Sequence, residues 1–157
     1  MNIFLTSVKK SISSLLSLLF LAAPIAVQAQ FTYTTNAGGA SITITHYTGP
    51  GGAVTIPTNI NSLTVTGIGE FVFAETAATA IVIPDGVTSM SDYAFANCES
   101  LTNVTISSTI TSVSDFAFEN STELISVAIP NSITNIGYAA FASCTNLNKV
   151  VIPELLT

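Results

Sequence analysis

The phrase SDYAFANCESLTNVTI at 91–106 returns as SDFAFENSTELISVAI at 114–129 and as GYAAFASCTNLNKVVI at 137–152. Val54, Ile81, Val104, Val127 and Val150 open successive copies, and the last three intervals are each 23 residues. So short a unit cannot bury an apolar face by itself; it is stable only when stacked on its neighbours. The expected fold is therefore a mainly β repeat solenoid of 23-residue coils, with parallel strands about 4.8 Å apart and one short helical turn per coil.

The apolar letters hold this register. Ile83, Ile106, Ile129 and Ile152 form one column, Val87, Ile110 and Ile133 the next, then Met90, Val113 and Ile136. Phe95, Phe118 and Phe141 follow, each preceded by a small Ala, and Leu101, Leu124 and Leu147 close the unit. The first interval is 27 residues, with extra residues around 61–66 and one lost after Phe73. Such irregularity is common in a terminal repeat that doubles as a cap.

Two segments precede the repeats. Residues 1–29 carry Lys9 and Lys10, an apolar run from Leu15 to Val27 and small residues at Val27 and Ala29, the pattern of a secretory signal cut before Gln30. The run is shorter than the ~20 residues of a spanning helix, so no membrane span is expected after cleavage. Residues 30–53 alternate apolar and polar letters around turns at 36–39 and 49–52, which predicts a β-hairpin covering the open end of the stack. Residues 54–157 are then the solenoid, about four coils and the first strand of a fifth. Stopping at VIPELLT leaves that last coil incomplete, which suggests truncation or end-to-end self-association through an uncovered coil.

After residue 30 one cation, Lys149, stands against nine carboxylates, a net charge of −8. Without basic side chains to displace phosphate counterions, nucleic acid is not an expected partner.

The phrase L-x-x-V-x-I-P-x-x-V/I-x-x-I-G/S-x-x-A-F-x-x-C, read at 101–121 and again at 124–144, resembles the BspA-like, or Treponema-type, leucine-rich repeat of bacterial and some protist surface proteins. The resemblance covers roughly residues 54–153, with 31–53 similar to the lead-in of such proteins. It implies a right-handed leucine-rich-repeat stack, a secreted or cell-surface location, with the periplasm as a further compartment, and adhesion to a protein or glycan. Ser107 replaces the repeat's Pro, Ser121 replaces its Cys, and no C-terminal anchor is present in the sequence.

Candidate chemistry is sparse. Cys98 and Cys144 lie two periods apart with Ser121 between them, so a stack would hold them about 9.5 Å apart, beyond disulfide reach; a small buried column residue is the expected role. Glu70, Asp92 and Asp115 form a column with Tyr138; capping the free N–H groups of the following turn suits them better than calcium, which needs six to eight oxygens. His46, the only histidine, has no fixed nucleophile or carboxylate partner. The sequons at Asn103 and Asn120 are incidental in a bacterial setting. No catalytic, cofactor or metal site is expected.

What remains is surface. Strand alternation turns Thr55, Val82, Thr105, Ala128 and Val151 outward in one row, beside Ala53, Ala80, Asn103, Ser126 and Lys149. This strip has none of the Trp, Tyr or Arg that supply binding hot spots. Tyr93 and Phe116, on the turn side, are the better contact candidates. The reading is a non-enzymatic protein-interaction or adhesion module, with a structural spacer of a larger envelope protein as the first alternative and a secreted hydrolase as the second.

Overall fold

The computed structural model describes residues 29–151. The segment read as an export signal falls outside the described residues except for Ala29, as do Ile152 and the residues after it. Twelve strands run in chain order: β1 Phe31–Thr35, β2 Ser41–Tyr47, β3 Gly52–Thr55, β4 Asn59–Ile60, β5 Leu63–Ile68, β6 Ala78–Val82, β7 Ser89–Met90, β8 Asn103–Thr105, β9 Ser112–Val113, β10 Ser126–Ala128, β11 Asn135–Ile136 and β12 Lys149–Val151.

The repeat letters dictate the main sheet. Val54, Ile81, Val104 and Val127 point inward and are buried, so the parallel register that keeps them in one column is the one that forms. Its strand order is β12-β10-β8-β6-β3. A second wall begins with β2, β5 and β7 in parallel and continues with the pair β9 and β11. Between the walls Ile56, Ile83, Ile106 and Ile129 form one buried column, and Val87, Ile110 and Ile133 another.

A stack of aromatic rings runs through the core. Phe73, Phe95, Phe118 and Phe141 succeed one another at 5.1 to 5.3 Å, with interplanar angles of 14°, 7° and 1°. Tyr47 of β2 continues it at 5.1 Å from Phe73, and Phe31 of β1 packs against both. The β1–β2 hairpin therefore adds a strand to β5 and two rings to the core at the first coil. The surplus residues of the first coil form a second, small hairpin: β4 returns antiparallel into β5 through Asn61 and Ser62, both in the left-handed region at φ 49° and 67°. Two consecutive left-handed residues are the signature of a tight hairpin turn.

The segment expected to be a helical turn is a turn without a helix. Its amides bond mainly to the following coil: Phe95 N–H to Ala117 C=O, Phe118 N–H to Ala140 C=O, Asn97 N–H to Glu119 C=O and Asn120 N–H to Ala142 C=O. Reaching the neighbour requires two left-handed residues per turn, Tyr93 and Asn97, Phe116 and Asn120, Ala139 and Ser143. That backbone cannot form the i→i−4 ladder of a helix.

Ser107, the departure from Pro, is buried and held by side-chain bonds. It donates to Asp85 Oδ1 at 3.2 Å and lies 2.6 Å from Thr109 Oγ1, while Ser108 N–H and Oγ donate to the same Asp85 oxygen. A hydroxyl with partners can occupy a buried site at little cost.

Candidate interaction surface

The row foreseen on the principal sheet is present and in register: Thr55 pairs with Val82, Val82 with Thr105, Thr105 with Ala128 and Ala128 with Val151. All five are exposed. Their side chains are small, and Val82 and Val151 are the only sizeable apolar surfaces among them.

The turn side is different. Phe71, Tyr93 and Phe116 stand one per coil at the first left-handed position of each turn. Left-handed backbone costs an L-residue about 1–2 kcal/mol, so the site is imposed by the coil rather than chosen by aromatic propensity. The rings stack, Phe71 on Tyr93 at 5.0 Å and 16°, Tyr93 on Phe116 at 4.8 Å and 2°. Tyr138 closes the series edge-on to Phe116 at 5.4 Å and 76°. Phe71 is 50% exposed and Tyr138 75%, while Tyr93 and Phe116 are half-buried between them. The molecule thus carries a core ladder of rings and, separately, a solvent-facing one.

Sequence reasoning found Tyr93 and Phe116 and missed Phe71 and Tyr138. Phe71 was concealed by the deletion that shortens its interval to Tyr93 to 22 residues. Tyr138 belongs to the carboxylate column; the aromatic column holds Ala139 in that coil, and Tyr138 reaches in from one position earlier.

Carboxylates surround the ladder. The hydroxyl of Tyr93 has its pKa raised, by desolvation first and then by the charges of Glu119, Asp92, Asp115 and Glu70. Asp115 also caps a turn, but the next one along: its Oδ1 accepts the Tyr138 N–H at 2.7 Å. The intervening residue is Gly137, where a Cβ would collide with that carboxylate.

The other candidates stay apart. His46 is exposed on β2 opposite Thr32. Cys98 and Cys144 are unbridged thiols. Among the described residues no cluster of three or more His, Cys, Asp or Glu could hold a metal ion. A groove of about 530 Å³ lined by Glu75, Thr76, Ala77, Asn97, Glu99 and Ser100 brings two carboxylates and an amide together, with no base or nucleophile beside them. Asn120 on the turn donates to Asn97 Oδ1 at 3.1 Å, an amide ladder that bridges coils.

A profile of the BspA type leucine-rich repeat region matches residues 66–157 in six copies. The fold is similar to a leucine-rich-repeat protein of T. pallidum, with a TM-score of 0.78 at 27% identity, covering 82% of this chain and 61% of that one. A leucine-rich-repeat protein of Bacteroides capillosus gives 0.67 at 26% identity, covering 77% and 92% respectively. A leucine-rich cell surface protein of Faecalibacterium prausnitzii gives 0.56 at 28% identity; there the chain covers 76% of itself and 37% of its relative. Comparison with curated proteins finds no match.

Proposed function

The chain belongs to the BspA-type leucine-rich-repeat family, and from that premise we propose that it is a secreted or cell-surface interaction module, non-enzymatic, whose contact surface is the exposed aromatic ladder. One observation carries this reading: Phe71, Tyr93, Phe116 and Tyr138 keep apolar ring surface in water at consecutive coils. Isolated exposed apolar residues are ordinary, whereas a contiguous run rimmed by polar groups marks a contact site. Aromatic rings are also among the residues that dominate interface energies. The principal sheet offers no comparable anchor. A surface location is supported by the leader-like residues 1–29 and by the F. prausnitzii relative described as a cell surface protein.

The test is a binding screen against arrays of matrix proteins and glycans, with wild-type protein beside the Phe71→Ala, Tyr138→Ala double variant. Both side chains are at least half exposed, so the variant should fold. A retained partner whose binding falls at least tenfold in the variant supports the ladder; retention that does not change overturns it.

A second reading, self-association, is favoured by the principal sheet. β3 and β12 stand at its two margins, each with one edge unpaired among the described residues, and both edges run parallel. An open strand edge is a template for another chain. Light scattering over a concentration series tests it: growth of large species supports end-to-end stacking, and a constant monomer mass rejects it.

A further inference from the structure

Resting on the ladder as the contact surface, we propose that its partner is an extended polypeptide segment carrying lysine or arginine, its cationic heads held by the flanking carboxylates and its aliphatic stems laid along the rings.

Charge is the first argument. Glu70, Asp92 and Asp115 immediately precede Phe71, Tyr93 and Phe116, and Glu119 follows three positions after Phe116. All four act on the Tyr93 hydroxyl, which places them around one patch. No internal cation answers them there. Lys149, the only basic residue after position 30, lies on β12 of the principal sheet.

Ring geometry is the second. Phe71, Tyr93 and Phe116 turn their faces toward one another, so the middle of the ladder shows solvent its ring edges. A neutral sugar stacks on an open aromatic face and finds none at Tyr93. The methylene stem of Lys or Arg packs readily along apolar edges while its head stays hydrated and paired. At the Tyr138 end, with 75% of the residue exposed, a ring face is open to a guanidinium or ammonium.

Size is the third. Four rings one coil apart span roughly 14 Å at ~4.8 Å per coil, which an extended chain rising ~3.3 Å per residue covers in about four residues. Two basic side chains four positions apart would reach both ends. Phosphate- and sulfate-bearing polymers meet the same carboxylates as repulsion.

The test is fluorescence anisotropy of a labelled hexa-arginine peptide titrated with the full chain at low and high salt, beside its hexa-citrulline analogue, which keeps the shape and loses the charge. We expect the citrulline peptide to bind at least tenfold more weakly, and Tyr138→Ala or the pair Glu70→Gln, Asp92→Asn each to weaken the arginine peptide about tenfold. Glu123→Gln, an exposed carboxylate off the ladder, should leave binding unchanged. Equal binding of the two peptides overturns the charge argument, and an equal loss in Glu123→Gln overturns the site in favour of diffuse attraction. Arginine binding insensitive to Tyr138→Ala and Phe71→Ala overturns both this inference and the contact surface. Ladder-dependent retention of a neutral glycan without peptide binding overturns the partner alone and leaves the surface standing.

Discussion

The thiol of Cys98 donates to the carbonyl oxygen of Phe73, one coil earlier, at 3.0 Å. Ser121 makes the same bond to Phe95 at 3.0 Å and Cys144 to Phe118 at 3.1 Å. The column thus satisfies the backbone carbonyl of each core phenylalanine from the next coil. That explains why Ser and Cys alternate in it: both are small donors, and a donor is what the position needs.

This bond gives a pH prediction. Burial is the main reason that Cys98 is pushed up from 9.0 to about 11. Between those values the unfolded chain holds fewer protons than the folded one. Stability is therefore full below pH 9 and falls as pH rises toward 11, by at most ~2–3 kcal/mol. Cys98→Ser keeps a donor to Phe73 and removes the titration, so its stability should decline less over that range; Cys144, raised in the same direction, leaves a residual slope. Urea unfolding at pH 8, 9, 10 and 11 checks this, and parallel curves for the two proteins would refute it.

Thiol chemistry follows burial. Cys98 is wholly buried, whereas Cys144 is part-exposed. Alkylation of the native protein at pH 8 should modify Cys144 well before Cys98, and both should react rapidly in urea. A Cys98–Cys144 disulfide found by mass spectrometry would contradict the 23-residue register.

Phe118 lies between Phe95 at 5.1 Å and Phe141 at 5.3 Å, fully buried. Phe118→Ala removes the middle ring and leaves a cavity that two rigid walls cannot close, at an expected cost of ~3–5 kcal/mol. Chemical denaturation measures it. A loss below ~1 kcal/mol would mean that the core stack is not a structural element.

Ala139 sits at φ 50° in the turn where other coils place Phe71, Tyr93 and Phe116. Ala139→Gly relieves the steric cost of left-handed backbone and should stabilise by ~0.5–1 kcal/mol, opposite in sign to the same change in a helix. A denaturation midpoint that falls would show that the backbone at this site relaxes without the substitution.

The buried columns were legible because each is a local pattern repeated at constant spacing. Ile83, Ile106 and Ile129 share a burial state because the same register is copied coil by coil. The outward row from Thr55 to Val151 followed from strand alternation alone. The exposed ladder was half legible. Phe71 and Tyr138 do not keep the 23-residue interval, and no periodic reading includes them.

The helical reading of the turn also depended on local letters, since Asp before Ala-Phe resembles a cap. Here the neighbouring coil outweighed local propensity: amides of Phe95 and Phe118 find carbonyls in the next coil, and the left-handed residues that allow it are unfavourable in isolation.

By itself, then, the sequence determined the coil, its length and its inward columns, because an apolar repeat of fixed period has one economical way to leave water. Only the tertiary structure decided which side chains meet across coils. Left-handed turn backbone, stable only when bonded to its neighbour, swings Phe71, Tyr93 and Phe116 into one outward stack and brings Tyr138 to its end.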